Sequence, residues 1–445
     1  MILQTNDSLS DYLQIALQNN PLVLQRFTEY KAALERVPQA GALPDPELTA
    51  GVFITPMELL AGNQVADLSL MQMFPWFGVL KNAKDEMSLM AKASFESFRD
   101  ARLQVMLDVK KTWYEMYRLR ENLRISEKNL ELLKSIEKLS LARYRSGSTG
   151  NSAGSFTGSS AMGSGNPTGA TSSMGGQSGM GSMGSGGQAV VNQNQPMQQN
   201  SMQSGTSGSG LADLYRIQIE EGELLNTIAL YKDQQNTLLS KFNSFLNRPP
   251  LAPVVLPDTL YADSLKSDIL FVPDSIRKNN PMLAMIRFEQ QSLDARKEMS
   301  KRMGFPMAGI GLNYSVINKN EMAESDMNGR DMIMPMVKLT LPVYRKKYRA
   351  LQNEAVTLKS ASEMNYLTTL NNLTNEYYEA LQLYTDAGRR IRLYSDQAAL
   401  AEKSLNIMIR SYSGASVPLS DLLIVQQQLL DYELLRVQAV TDFNT

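Results

Sequence analysis

The 445-residue chain contains no cysteine and no histidine. Without cysteine there is no disulfide framework, thiolate metal site or cysteine nucleophile, which suits a compartment where stray thiols oxidise. Without histidine, the commonest general base and metal ligand is missing. No nucleophile, base and orienting group stand in a recognisable arrangement, so no enzyme is expected and no cofactor is implied. The formal net charge is −1 and the pI about 5.9, so there is no basic footprint for nucleic acid. No run of 18 apolar residues exists, so no transmembrane helix is expected. The first residues, Met1 to Asp7, lack a basic n-region and an apolar h-region, so they are not a signal peptide.

Glycine and proline are missing from two long stretches. Between Pro75 and Tyr144 only Gly78 interrupts, and between Pro342 and Tyr412 only Gly388. Leu, Met, Lys, Glu, Arg and Ala dominate both stretches, and these are good helix formers. Each stretch predicts one helix of roughly 100 Å at 1.5 Å per residue. That length points to a helical tube or coiled coil rather than a globular domain.

The two stretches belong to a pattern that runs through the chain twice. An Asn-Asn-Pro break stands at Asn19-Asn20-Pro21 and again at Asn279-Asn280-Pro281. Pro46 and Gly51 recur as Pro306 and Gly311, at the same offset of 260 residues. The order of break, strand pair and long helix repeats with them, which predicts an internal duplication. The first repeat is read as 1–250, a linker as 251–270 and the second repeat as 271–445. After the first long helix, Leu214, Ile217, Leu224, Ile228, Tyr231, Leu238, Phe242 and Phe245 step by threes and fours. They form a heptad seam, with Glu221 and Gln235 as its polar interruptions.

Each repeat also carries two alternating segments, read as strands at about 47–55 and 65–74, and at about 307–316 and 332–341. In the first, Leu48, Ala50, Val52 and Ile54 alternate with Glu47, Thr49, Gly51 and Phe53. In the third, Ala308, Ile310, Leu312, Tyr314 and Val316 alternate with Met307, Gly309, Gly311, Asn313 and Ser315. Period two separates an apolar face from a small or polar one, and strands of about 9–11 residues suit a membrane barrel. Gln72 breaks the apolar set of the second strand. Four strands cannot close a barrel, so several chains would have to contribute.

The ordered set of elements resembles the TolC family of outer-membrane factors. The resemblance rests on the duplicated order of elements, on the turn Tyr412-Ser413-Gly414 followed by Leu419-Ser420-Asp421-Leu422, and on the junction Phe74-Pro75-Trp76-Phe77-Gly78. It implies a mainly α fold: duplicated long-helix hairpins forming a trimeric α-helical barrel, with four short strands per chain in a twelve-stranded transmembrane β-barrel. It implies a homotrimer in outer-membrane lipid that meets a periplasmic adaptor and, through it, an inner-membrane pump. The turns at Tyr144 and Tyr412 would form the periplasmic tip, with Asp213, Tyr412, Ser413, Gly414 and Asp421 as gate positions. The position three residues after Asp421, often a second aspartate in that family, is Ile424. Helix N-terminal placement is an equal reading of Asp213 and Asp421, each favourable to the dipole by about 0.3–1 kcal/mol. The export signal expected of such a protein is absent, and the chain reads as trimmed at both ends.

Copy one departs from copy two at its tip. Residues 146–210 contain no Asp, Glu, Lys or Arg and are rich in Gly, Ser, Thr, Gln and Asn, a composition that predicts disorder. Met162, Met174, Met180, Met183, Met197 and Met202 lie within this insertion. They are either tolerated residues of a flexible linker or soft ligands suited to Cu(I) or Ag(I). The function expected is therefore a passive efflux conduit, with copper or silver, or else drugs and other small organic solutes, as cargo. A periplasmic adaptor is the alternative, and a soluble coiled-coil scaffold is disfavoured by the repeated strands.

Overall fold

The computed structural model of the protein describes residues 8–59, 62–148, 210–262, 271–320, 328–414 and 416–445. The element order is α1 (Leu9–Asn19), α2 (Pro21–Gly41), β1 (Glu47–Leu59), β2 (Gly62–Phe74), α3 (Val79–Ser148) and α4 (Gly210–Phe245). It continues with α5 (Val272–Asn279), α6 (Pro281–Arg302), β3 (Met307–Asn318), β4 (Met332–Thr340), α7 (Arg345–Ser413) and α8 (Leu419–Asn444).

Both expected breaks fall between helices and share one geometry. Asn20 (φ −64°, ψ 126°) accepts hydrogen bonds from the amides of Leu22 and Val23, and Asn280 (φ −67°, ψ 125°) from those of Met282 and Leu283. An asparagine with an extended backbone caps a helix, and the proline at N1 loses no hydrogen bond there. The two caps thus share backbone angles and hydrogen-bond pattern.

The long helices form as the composition dictates, with 70 residues in α3 and 69 in α7. Gly388 does not interrupt α7. Its missing Cβ leaves room for the Phe443 ring, which stacks on Tyr384 at 4.5 Å. Along its length α3 lies against α2, α4 and α6, while α7 lies against α6 and α8. The heptad seam of α4 is its inner face: Ile217, Leu224, Ile228 and Phe242 are buried and Gln235 is exposed.

Two cores hold the helices together. One joins α3, α4, α7 and α8 through Leu133, Ile136, Ile217, Leu405, Tyr412, Leu419 and Leu422. The other joins α1, α2, α3 and the end of α4 through Tyr12, Val23, Val109, Trp113 and Phe242. The segment expected as a linker is strapped to this second core over its described part. The Tyr12 hydroxyl accepts from the Val255 amide at 2.9 Å, and Tyr117 from that of Leu260 at 3.0 Å. Arg120 donates to the carbonyls of Leu256 and Pro257.

The four described strands form one antiparallel sheet in the order β1-β2-β3-β4, so the first and second strand pairs join edge to edge through β2 and β3. Three strands are longer than expected: β1 runs to Leu59 rather than 55, β2 begins at Gly62 rather than 65 and β3 runs to Asn318 rather than 316, while β4 stops at Thr340 rather than 341. Pro56 lies within β1. It falls in an irregular stretch between the pairs Val52–Ala66 and Met57–Gln64, where its missing amide breaks no ladder bond. Pro335 lies on β4, the opposite outer strand. No described helix is long and apolar enough to cross a membrane, which says nothing of a β-barrel.

Candidate functional site

The first site is the end of the α3–α4 and α7–α8 hairpins. The Tyr412 side chain is 1% exposed. Its hydroxyl is 2.7 Å from the Ser140 hydroxyl, in a buried hydrogen bond that joins α7 to α3. The Arg143 guanidinium lies over the Tyr412 ring at 4.8 Å and donates to its carbonyl at 3.5 Å. Tyr412 is therefore a clamp between α7 and α3 of one chain. Tyr144, its repeat counterpart, is 44% exposed, so the duplicated tyrosines occupy unlike environments.

Ser413 and Gly414 close the C-terminus of α7. The Ser413 hydroxyl donates to the Arg410 carbonyl at 2.7 Å and the Gly414 amide to the same carbonyl at 3.3 Å. Pro418 then precedes α8, and exposed Asp421 lies in its first turn, accepting from the Ser420 hydroxyl at 3.1 Å. Asp213 holds the matching first-turn position of α4 and is half-buried. Both carboxylates stand where a helix dipole favours negative charge.

Below the tip, burial pushes the Glu221 carboxyl up, and Glu137 on α3 adds to this while Lys134 opposes it. One Glu221 carboxylate oxygen is buried without a hydrogen-bond partner. Ser140 and Arg143 escape the sequence reading because nothing in the duplication marks them. Tyr412 lies 272 residues from Ser140, and only the folded hairpins bring them together. Met162, Met174, Met180, Met183, Met197 and Met202 lie outside the described residues.

The second site is the sheet. Cross-strand registers place Leu48 beside Leu70, Leu70 beside Leu312, and Leu312 beside Pro335. Ala50, Leu68, Tyr314 and Ile333 form the next row of the same face. This face is apolar and uncovered: Val52 is 80% exposed, Ile310 63% and Val337 82%. Gln72 is its polar member and satisfies its amide on the carbonyls of Pro44 and Met73. The opposite face carries Thr49, Asp67, Ser69, Asn313, Ser315 and Lys338, with methionines and glycines between them.

Where the sheet meets the helices, Trp76 stacks on Phe305 at 5.4 Å and meets Phe77 edge-on at 5.9 Å, with exposed Tyr344 beside the start of α7. Gly78 makes the turn into α3 at φ +85°. The Arg302 side chain lies over it and donates to the Phe77 carbonyl at 3.2 Å.

The described chain is thus a long-helix body joined to a four-stranded sheet with one bare apolar face. Residues 12–155 match the family model described as outer membrane efflux protein. Among solved structures the chain is similar to the outer membrane protein VceC from Vibrio cholerae, at 14% identity and a TM-score of 0.70, covering 98% of this chain and 93% of that one. It is similar to a membrane protein from Pseudomonas aeruginosa, at 14% identity and a TM-score of 0.72, over 99% and 91% of the two chains. It is also similar to CusC, whose structures concern folding and transmembrane channel formation, at 13% identity and a TM-score of 0.70, over 99% and 91%. No curated protein matches the chain. The fold is that of these outer-membrane channels.

Proposed function

We propose that the chain is one protomer of a trimeric outer-membrane efflux conduit that moves solutes from periplasm to exterior without chemistry of its own. The observation that carries this reading is the sheet. It exposes an apolar face across all four strands and leaves β1 and β4 as unpaired edges. An apolar face of that extent calls for lipid, and open edges call for other strands. Twelve strands from three copies satisfy both needs, because β4 of one copy meets β1 of the next in the antiparallel sense. The aromatic residues at the sheet–helix junction suit a membrane–water interface.

The helices supply a second support for assembly. Leu393, Leu400 and Ile407 recur every seven residues along α7 and are 50%, 65% and 66% exposed. Such a stripe is the seam of a helix that packs on another helix. The proposed tube carries an adaptor-binding tip at its periplasmic end, through which the inner-membrane pump acts. An adaptor role for the chain itself is disfavoured, because an adaptor has no use for a bare four-stranded membrane-type face.

The tip is the proposed gate. The Tyr412 clamp holds the α7–α8 turn on α3, and Asp213, Asp421, Ser413, Gly414 and Tyr144 surround the opening. Replacing Tyr412 with Phe and Asp421 with Asn, together, is expected to raise single-channel conductance in planar bilayers several-fold. Unchanged conductance from an intact trimer counts against this gate. The proposed cargo is Cu(I) or Ag(I), with drugs and small organic solutes as the alternative, and the six methionines of the 146–210 insertion would collect the ion at the entrance.

A further inference from the structure

The polar face of the sheet holds methionines placed by register rather than by composition. Met71 on β2, Gly311 on β3 and Met336 on β4 form one cross-strand row, and Met73, Gly309 and Lys338 form the next. The two glycines leave a trough between the flanking side chains, and sulfur fills it. The Met73 and Met71 sulfurs lie 2.5 and 3.3 Å from the point a Cβ on Gly309 would occupy. The Met71 sulfur lies 3.0 Å from the corresponding point on Gly311. Gly309 is consequently buried while its neighbours Ala308 and Ile310 are exposed, and Met336 is the one residue of β4 that is not exposed. Three long thioether side chains thus border one glycine floor, on a face whose other members are Thr49, Asp67, Ser69, Asn313 and Ser315.

We propose that Met71, Met73 and Met336 form a thioether site for a soft monovalent cation, Cu(I) or Ag(I), on the face that lines the conduit. The proposal rests on the conduit reading, which turns this face toward the lumen. Thioether sulfur is neutral and soft, so it selects d¹⁰ monovalent ions over the hard cations of the surrounding solution. It carries no proton at neutral pH, so capture and release need no proton transfer. A site made only of neutral thioethers holds an ion weakly enough to let it leave, as a conduit requires. Glu47 and Asp67 share this face with Lys338, so the surroundings do not repel a cation.

The test is Ag(I) binding to the full chain, purified in detergent in chloride-free buffer, by titration calorimetry and by X-ray absorption at the silver edge. The native protein is expected to bind Ag(I) with sulfur in its first shell. Met71→Leu/Met73→Leu/Met336→Leu keeps the bulk, and is expected to remove one ion per protomer or weaken that class of site at least tenfold. Gly309→Ala pushes the Met73 sulfur, the far end of a flexible side chain, out of the trough, and is expected to weaken the same site while leaving the methionines in place. Replacing Met162, Met174, Met180, Met183, Met197 and Met202 with Leu is expected to leave this site unchanged. Native-like Ag(I) binding by the triple variant overturns the proposal, and so does loss of all sulfur-bound silver in the insertion variant. Potassium conductance in bilayers reads the conduit separately: its absence in the native protein would refute the channel, whatever silver does.

Discussion

At the scale of the residue, a buried uncharged polar pair in the helical body joins α8 to α3. Gln426 donates from its side-chain nitrogen to the Asn129 side-chain oxygen, and both are buried in the core below the tip. Gln426→Leu leaves Asn129 unsatisfied and is expected to cost about 1–3 kcal/mol, seen as a lower melting temperature. The double replacement by Leu is expected to cost less than the two single changes together, and strict additivity would show that the pair is not coupled. Glu221 makes a prediction in pH. Its folded-state pKa is raised, so the ionised form is disfavoured in the fold above that pKa, and the penalty is relieved as pH falls through it. Glu221→Gln is therefore expected to raise the melting temperature at pH 7–8 and to lose this advantage toward pH 4–5. A gain that grows on acidification would reverse the sign and refute the assignment. These residues mark where the sequence stops being legible. Tyr412 could be found from its place in a repeated turn. Its burial against Ser140 and Arg143 could not, because partners 272 and 269 residues away leave no local signal.

At the scale of the element, the duplicated caps give a controlled comparison. Asn20 and Asn280 cap α2 and α6 with the same backbone angles, but Asn20 is buried and also donates to the Phe245 carbonyl at 2.9 Å. Replacing Asn280 with Ala is expected to cost about 1 kcal/mol, the usual worth of such a cap. Asn20→Ala is expected to cost measurably more, because it also removes the part-buried hydrogen bond to the Phe245 carbonyl. Equal melting temperatures for the two variants would contradict this. The helix breaks were legible because Asn and Pro act locally through capping and a fixed φ. The long helices were legible because little interrupts their propensity, and the α4 seam because burial follows its period. Strand ends were less legible. Pro56 and Val65 lie at register irregularities, and such irregularities depend on the neighbouring strand rather than on the residue's own segment. The order β1-β2-β3-β4 was likewise out of reach, since nothing local says that β2 seeks a partner 250 residues away.

At the scale of the whole molecule, the protomer is incomplete in two ways that one assembly repairs. Among the described residues, the sheet has no partners at either edge and no cover on its apolar face, and α7 has no partner along its exposed stripe. In the proposed assembly, side-by-side association of identical copies would pair β4 with β1, turn the apolar face to lipid and the polar face inward, and cover the stripe with a neighbouring helix. The measurement that tests this most directly is native mass spectrometry of the full chain, expressed behind an export leader and extracted from outer membranes in detergent. The expected result is a particle of three chains that stays intact at nanomolar concentration and aggregates when detergent is withdrawn. A monodisperse single chain, stable in buffer without detergent, would contradict it.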